Sequence, residues 1–235
     1  MKLYKRTLCI VGAGLLLSGT QLFAEQMNAK EIVRKAYAQI GSMDQYAFNA
    51  IISDNETIDG QTTTYIKNVS VKIDRPGNLR ADTKGDIKDR STYIHNGEFT
   101  MIDHRFGYYT QLSTPETIDA TLDYLFDKFG IRTPLSTLMY SDMGKRINFK
   151  KNKYFGTVDV AGVSCDYVAF SNGVKEIHVW ITKGETPLVK TYSIINGDTR
   201  INATLVWDTD PKLSKSDFIF KAPKDATKIS VSSAN

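Results

Sequence analysis

The chain has 235 residues, with 30 Lys or Arg against 26 Asp or Glu, which gives a formal net charge of +4. This small excess, with no run of basic residues, argues against a nucleic-acid partner. With only two cysteines, the sequence has no disulfide framework of the kind that stabilises small secreted domains.

Residues 1–24 have the layout of a secretory signal peptide. Lys2, Lys5 and Arg6 form a positive start, an apolar run follows over 8–17, and Ala24 is the expected last residue removed. The apolar run is short for a membrane span, so no transmembrane anchor is expected after cleavage, with an uncleaved anchor as the alternative. The segment has three basic and no acidic residues, so its removal lowers the net charge to +1.

Residues 28–40 are predicted to form a helix. Asn28 is a favourable N-cap residue, and Gly41 is expected to end the helix as its C′ residue. Apolar residues recur at a spacing of four, at Ile32, Ala36 and Ile40. This apolar side needs a sheet to pack against, and the segments that follow supply one.

The stretch 69–112 is predicted to be a meander of antiparallel strands, because it is rich in Ile, Val, Tyr, Phe and Thr and is broken by turn signals. Pro76-Gly77 breaks the first run, and Gly107 marks a later turn or bulge. Asn96-Gly97 predicts a type I′ hairpin turn, which requires positive φ at both central residues. Further strands are expected over 46–53, 62–73, 147–149, 156–160, 165–170, 174–182, 188–195, 200–207 and 218–220.

Between the two groups of strands, residues 114–143 are predicted to form a helical lid. Pro115 is expected at the first position of a helix that Gly130 ends, and Thr133-Pro134 is expected to start a second, short helix. The apolar stripe of the first helix consists of Ile118, Leu122, Leu125, Phe126 and Phe129. With an N-terminal helix, many antiparallel strands and a helical insertion, the sequence predicts an α+β fold, as one domain over 25–235. A long twisted sheet of this kind tends to curl.

Several short motifs, taken in order, resemble the LolA/LolB-type superfamily of periplasmic lipoprotein carriers. The matching residues are Arg75-Pro76-Gly77, Leu79-Arg80, Asn96-Gly97, Asp103, Tyr108-Tyr109 and the segments 156–163 and 218–223. The chain is similar, more closely, to a family of predicted periplasmic proteins of unknown function that shares this fold, over about 29–229. The resemblance implies the periplasm of a Gram-negative bacterium. It also implies a curved antiparallel sheet, an incomplete β-barrel whose concave face is covered by helices.

The resemblance further implies a hydrophobic or lipid-like ligand, with envelope proteins or lipoproteins as candidate partners. Carriers of this fold hold acyl chains in the concave face, where burial stabilises by roughly 0.8 kcal/mol per methylene. Arg75 matches an arginine that bonds to the lid in the carriers, so it is implied to tether the lid; a surface arginine beside a turn is the alternative. The candidate cavity and lid residues are Arg75, Tyr108, Ile118, Leu122, Leu125, Phe126, Trp180 and Trp207.

Two interpretations of the apolar strands stay open. Trp180 lies on the opposite face of its strand from Val179 and Ile181, so both faces need cover. One side could be a cavity under the lid, which suits a carrier. Alternatively, the core is solid, and the protein is a non-enzymatic envelope interaction module without a ligand.

Catalysis is not expected, because no nucleophile, base and orienting group can be placed together. His178 shares a strand face with Glu176, and His104 lies at a predicted hairpin end; a solvated face is the simpler interpretation of both. No metal-ligand spacing is present and no cofactor is predicted. Cys165 lies in a strand pattern and is expected to be a buried, structural thiol.

Overall fold

Twelve strands form one sheet that does not close into a barrel. The computed structural model describes residues 28–131, 135–149 and 151–232; the expected signal peptide lies outside them. Within these ranges the strand order is β12-β6-β5-β4-β3-β2-β1-β11-β10-β9-β8-β7, and every pair is antiparallel except β12 with β6. The predicted α+β class with an open, half-barrel sheet is therefore confirmed.

The elements have the following bounds. The helices are α1 (Ala29–Ser42), α2 (Ile118–Phe129) and α3 (Met143–Arg146), with 3₁₀ helices at Ser136–Leu138 and Lys215–Phe218. The strands are β1 (Gln45–Ile58), β2 (Gln61–Asp74), β3 (Asn78–Gly85), β4 (Asp89–His95), β5 (Glu98–Asp103), β6 (Tyr108–Ser113), β7 (Lys151–Val160), β8 (Val163–Ser171), β9 (Lys175–Thr182), β10 (Val189–Asn196), β11 (Thr199–Asp208) and β12 (Thr227–Lys228). No helix in the described ranges is long and apolar enough to cross a membrane.

The first helix begins as predicted but ends later. The side chain of Asn28 accepts a hydrogen bond from the backbone N–H of Lys30 at 2.9 Å, as an N-cap does. The helix continues through Gly41 to Ser42, so the prediction that Gly41 ends it is wrong. A Cβ at Gly41 would lie 2.0 Å from the carbonyl oxygen of Ser141. This glycine allows α1 to approach the Ser141 backbone closely.

The predicted meander is confirmed as β2 to β6, each strand paired with the next. At the β4–β5 turn, Asn96 has φ 49° and Gly97 has φ 71°, the positive values that a type I′ turn requires. This turn could be predicted from the sequence because its geometry depends on two adjacent residues.

The lid helix α2 starts three residues after the predicted Pro115. Thr117 is its N-cap, and the Thr117 hydroxyl accepts from the backbone N–H of Ala120 at 3.2 Å. Gly130 ends the helix in the left-handed conformation, with φ 65°, as predicted. The expected helix start at Thr133-Pro134 lies outside the described residues, and a 3₁₀ helix follows at Ser136–Leu138.

Two predicted strands, 147–149 and 218–220, are absent from the sheet in the described part of the chain. Phe149 instead packs on Phe170, with ring centroids 4.8 Å apart. Phe220 packs on Tyr93 and Tyr109, at 5.6 and 5.2 Å. Their aromatic content predicted strands, yet these segments bury rings without pairing their backbones, and the last strand is β12.

The helices α1, α2 and α3 and the 3₁₀ helix Ser136–Leu138 lie on one face of the sheet, which we call the concave face, whereas the 3₁₀ helix Lys215–Phe218 lies on the opposite, convex face. Alternation along the strands places Phe48, Ile52, Leu79, Phe99 and Val179 there, all buried. The first helix packs over β7, β8 and β9. Three other helices, α2, the 3₁₀ helix Ser136–Leu138 and α3, cover the concave side of β1–β5; we call them the lid.

Candidate ligand-binding cavity

A cavity of about 420 Å³ lies between the lid and the concave face of β1–β5. Its apolar wall on the sheet side consists of Ile52, Val69, Leu79, Ala81, Phe99 and Met101. On the lid side the apolar residues are Leu122, Leu125, Phe126, Ile131, Leu135, Met139 and Met143. Small-molecule sites are mostly apolar and roughly 300–1,000 Å³ in volume, so this cavity has the size and character of a binding site.

The strand register gives the cavity a gradient of polarity. Residues that face each other across β2–β5 form rows on the concave face. The row nearest Arg75 is apolar and consists of Ile73, Leu79, Ile94 and Phe99. The next row is mixed: Val71, Ala81, Thr92 and Met101. The following rows carry Thr83, Arg90 and Lys67, so the cavity changes from apolar to basic along the strands.

The basic residues at that end are partly paired. The Nζ of Lys67 lies 3.3 Å from a carboxylate oxygen of Asp54. A terminal guanidinium nitrogen of Arg90 lies 3.2 Å from a carboxylate oxygen of Asp103. Lys88 also lines the cavity. Partial burial, followed by the positive charges of Lys67 and Arg90, lowers the pKa of the Lys88 ammonium below its usual value.

Arg75 lies beneath the lid and outside the cavity wall. Its guanidinium donates to the hydroxyl of Tyr46 at 3.1 Å and lies 3.6 Å from a carboxylate oxygen of Asp119 in α2. The Tyr46 hydroxyl in turn donates to the carbonyl of Leu138 at 2.6 Å. Burial raises the pKa of Tyr46 well above its usual value, so this hydroxyl stays protonated and remains a donor.

The turn that carries Arg75 also holds the start of the lid helix. The carbonyl of Pro76 accepts from the backbone N–H of Ile118 at 2.8 Å, which satisfies a donor that the helix start leaves unpaired. A Cβ at Gly77 would lie 2.5 Å from the carbonyl oxygen of Glu116. Each residue of this Arg-Pro-Gly turn thus contacts α2 or the loop that leads into it.

Two aspartates of α2 hold the rest of the lid together. Asp119 accepts from the backbone N–H and the hydroxyl of Ser141, at 3.0 and 2.5 Å. Asp123 accepts from Tyr140 at 2.9 Å and from Arg146 at 2.8 Å, and these donors lower the pKa of its carboxyl. Neither role was predicted from the sequence, because acidic residues on a helix are usually solvated.

Three of the residues predicted for the cavity and lid, Leu122, Leu125 and Phe126, lie in the cavity wall. Three others of that set lie on the concave side but outside the wall. Ile118 is fully buried at the start of α2, and Tyr108 is half exposed on β6 near the sheet edge. Trp207 is in the core, where its Nε1 donates to the carbonyl of Val189 at 2.7 Å.

The prediction that Trp180 lines the cavity is wrong, because its side chain is on the opposite, convex face. The pleat of β9 places Val179 and Ile181 on the concave side, so Trp180 and His178 point away from the lid. The indole stacks on Tyr167 with ring centroids 4.5 Å apart, and the Nδ1 of His178 lies 2.7 Å from the Tyr167 hydroxyl.

The other titratable side chains singled out in the sequence do not assemble a catalytic arrangement. His104 lies 2.8 Å from the hydroxyl of Ser91, and that hydroxyl donates to Asp82 at 2.6 Å. A hydrolytic triad has the histidine between the serine and the acid, whereas here the serine is in the middle. In the described ranges no group of three or more His, Cys, Asp or Glu could hold a metal ion.

Comparison with known proteins shows one family match. The family model described as "Predicted periplasmic protein (DUF2092)" matches residues 29–232. No curated protein matches the chain.

Among solved structures, an uncharacterized conserved protein from Thermus thermophilus is similar, with a TM-score of 0.51 and 11% identity, covering 86% of this chain and 99% of that one. LprF from Mycobacterium bovis has a TM-score of 0.49 and 15% identity, covering 85% of this chain and 97% of its own. A LolA superfamily protein from Nitrosomonas europaea has a TM-score of 0.38 and 8% identity, with 83% and 98% covered. At 11% identity, the likeness to the Thermus protein is one of fold alone.

Proposed function

We propose that this chain, which belongs to the DUF2092 family of predicted periplasmic proteins, binds a hydrophobic or lipid-like ligand between its lid and the concave face of its open sheet. The family match confirms the resemblance and the periplasmic location that the sequence indicated. The observation that carries the proposal is the 420 Å³ cavity, walled mainly by aliphatic, aromatic and methionine side chains under a helical cover.

The chemistry of the wall suits an acyl chain. Burial of apolar surface stabilises by about 0.8 kcal/mol per methylene, so a chain of several methylenes gains a useful affinity from this wall alone. Three methionines, Met101, Met139 and Met143, lie in the wall. Their unbranched side chains adapt to different ligand shapes, which suits a carrier of flexible molecules.

The alternative function is an envelope interaction module that has no ligand. Exposed apolar side chains on the convex face, Ile51, Ile66 and Val206, favour it. Their direct cross-strand neighbours are polar, however: Ile51 faces Asn68 and Thr204, and Ile66 faces Ser53. The apolar positions are therefore interrupted, which favours the cavity as the binding site.

Native mass spectrometry of the exported protein, purified from the periplasm without detergent, tests the proposal. We expect a discrete added mass that organic extraction releases and identifies as a lipid or acylated species. A bare protein mass, together with failure to take up a fluorescent fatty-acyl probe, would favour the interaction module.

A pair of tryptophan variants locates the ligand. Ala81→Trp places an indole inside the cavity and should abolish uptake of the fluorescent acyl probe, because the site is filled. Thr204→Trp adds the same side chain to an exposed position on the convex face and should leave uptake unchanged. Uptake of the probe by both variants alike would show that the ligand binds outside this cavity.

A further inference from the structure

The end of the cavity far from Arg75 is basic. Lys67 lies eight residues before Arg75 along the chain, roughly 26 Å at about 3.3 Å per residue. Lys67, Lys88 and Arg90 line this end, and none of the described side chains that line the cavity is an Asp or Glu. Lys67 points to the concave face, as Val69 and Val71 on the same strand do, so its charge follows apolar side chains along β2.

The cations at this end are not all held in ion pairs. Lys67 and Arg90 each have one carboxylate partner, Asp54 and Asp103. In the described part of the chain Lys88 has no ion pair, and the Nε of Arg90 is buried without a hydrogen-bond partner. Lys67 and Arg90 are thus held in ion pairs, whereas Lys88 has Asp54 and Glu56 nearby but forms an ion pair with neither.

The surroundings of Lys88 disfavour its charge. Burial, followed by the neighbouring cations Lys67 and Arg90, lowers its pKa by more than the carboxylates of Asp54 and Glu56 raise it, which means that its charged form is destabilised where it lies. A negative group placed among the three would offset that destabilisation. A guanidinium and ammonium groups are also the usual protein partners of carboxylate and phosphate.

We propose that the ligand is an amphipathic anion, with its apolar tail against Leu79 and Phe99 and a carboxylate or phosphate head beside Lys67, Lys88 and Arg90. This inference rests on the proposed function and narrows its ligand class. The head and the tail meet the two ends of one polarity gradient, so the cavity favours one orientation of the bound ligand as well as its chemistry.

Calorimetric titration with ligands of one chain length tests the inference. Dodecanoate, dodecanol and inorganic phosphate are titrated separately below micelle-forming concentrations into delipidated protein, at low and at physiological salt. We expect dodecanoate to bind about tenfold more tightly than dodecanol, and its advantage to shrink as salt is raised, because screening weakens the head-group contacts.

Three variants test whether the basic end causes the tighter binding of dodecanoate. Lys88→Gln and Lys88→Glu should weaken dodecanoate binding, about tenfold for the charge reversal, while dodecanol binding stays the same. Lys88 is exposed in part and has no ion pair in the described ranges, so both variants should fold. Lys84→Gln removes the same charge from the convex face of the adjacent strand and should change neither affinity.

Each contrary outcome has one meaning. Equal binding of dodecanoate and dodecanol, unaffected by Lys88→Glu, would overturn the anionic head group and leave the proposed function standing. Phosphate binding as tight as that of dodecanoate would show a site for small anions, without a role for the tail. Failure of dodecanoate and dodecanol alike would count against the proposed function itself.

Discussion

The guanidinium of Arg75 lies 3.6 Å from the carboxylate of Asp119, and this contact joins the end of β2 to the first turn of the lid helix. Asp119 also accepts from Ser141, so a single buried arginine is connected to both the first and the last part of the lid. The Arg75 side chain is only 9% exposed, which makes it costly to remove.

Arg75→Leu should lower the free energy of unfolding by about 2 kcal/mol, since hydrogen bonds to charged groups contribute roughly 1.5–3 kcal/mol each. Urea denaturation measures the change, and hydrogen exchange should show faster exchange in α2. Arg200→Leu, at an exposed position on β11, is the control and should stay within about 0.5 kcal/mol of the parent protein. Equal losses in the two variants would show that Arg75 does not tether the lid.

Phe126→Asp and Trp180→Asp form a second matched pair. Phe126 is 37% exposed and lies in the cavity wall, so the variant should fold but lose at least about tenfold in affinity for an acyl probe, because a carboxylate then faces the chain. Trp180→Asp places the same charge on the convex face and should keep its affinity. Fluorescence titration gives both values. A larger loss of affinity in Trp180→Asp would show that the ligand binds at the convex face.

The sequence predicted those features that depend on neighbours along the chain. The Asn96-Gly97 turn, the N-cap at Asn28 and the helix end at Gly130 each follow from one or two residues and their backbone preferences. The candidate site was only partly predictable, because it depends on which face of each strand is concave. Trp180 shows this: its strand is apolar on both faces, and pairing with Tyr167 on β8 determines where the indole packs.

The contacts that hold the lid together, and the basic end of the cavity, also could not be predicted from neighbouring residues in the sequence. Asp119 and Asp123 have partners more than twenty residues away, at Ser141 and Arg146. One signal was present for the basic end. Lys67 shares the alternating pattern of Val69 and Val71, and a charge in such a row indicates either a partner or a ligand.

Gly41→Ala should destabilise the protein, although helix propensity alone predicts that it is stabilising. An exposed helical glycine changed to alanine gains up to about 1 kcal/mol. Here the added Cβ would meet the Ser141 carbonyl oxygen at 2.0 Å, so we expect a loss of about 1–3 kcal/mol instead. Thermal and urea denaturation measure it, with Ser42→Ala, one residue further along the helix, as a control of small effect. A stabilised Gly41→Ala protein would show that α1 does not approach Ser141 in solution.

Cys165 should be unreactive in the folded protein. Its side chain is fully buried on β8, and burial raises the pKa of the thiol above its usual value, so little thiolate forms near neutral pH. We expect no reaction with Ellman's reagent in buffer and one equivalent in concentrated urea, when the exported chain is used. Rapid reaction of the native protein would contradict the buried, structural role predicted from the sequence.

Asp217 forms one of the contacts that attach the C-terminal segment to the convex face, and this contact should depend on pH. Asp217 accepts from the Nζ of Lys72 at 2.5 Å and from the backbone N–H of Ser214 at 2.8 Å. The hydrogen bond from Lys72, followed by those from Ser214, lowers the pKa of the carboxyl from 3.8 to about 2.

Because the pKa is lower in the folded than in the unfolded chain, the stabilisation by Asp217 is complete above about pH 4 and is lost as the pH falls towards 2. Carbon-detected NMR titration should find the carboxyl of Asp217 ionised at about pH 3, between the folded and unfolded pKa values. Lys72→Met should raise its pKa towards the ordinary value and reduce the stability at about pH 6 more than at about pH 3. Lys212→Met removes an equivalent charge from a far more exposed position and should leave the titration of Asp217 unchanged. A normal titration of Asp217 in the parent protein would mean that Lys72 does not hold the C-terminal segment.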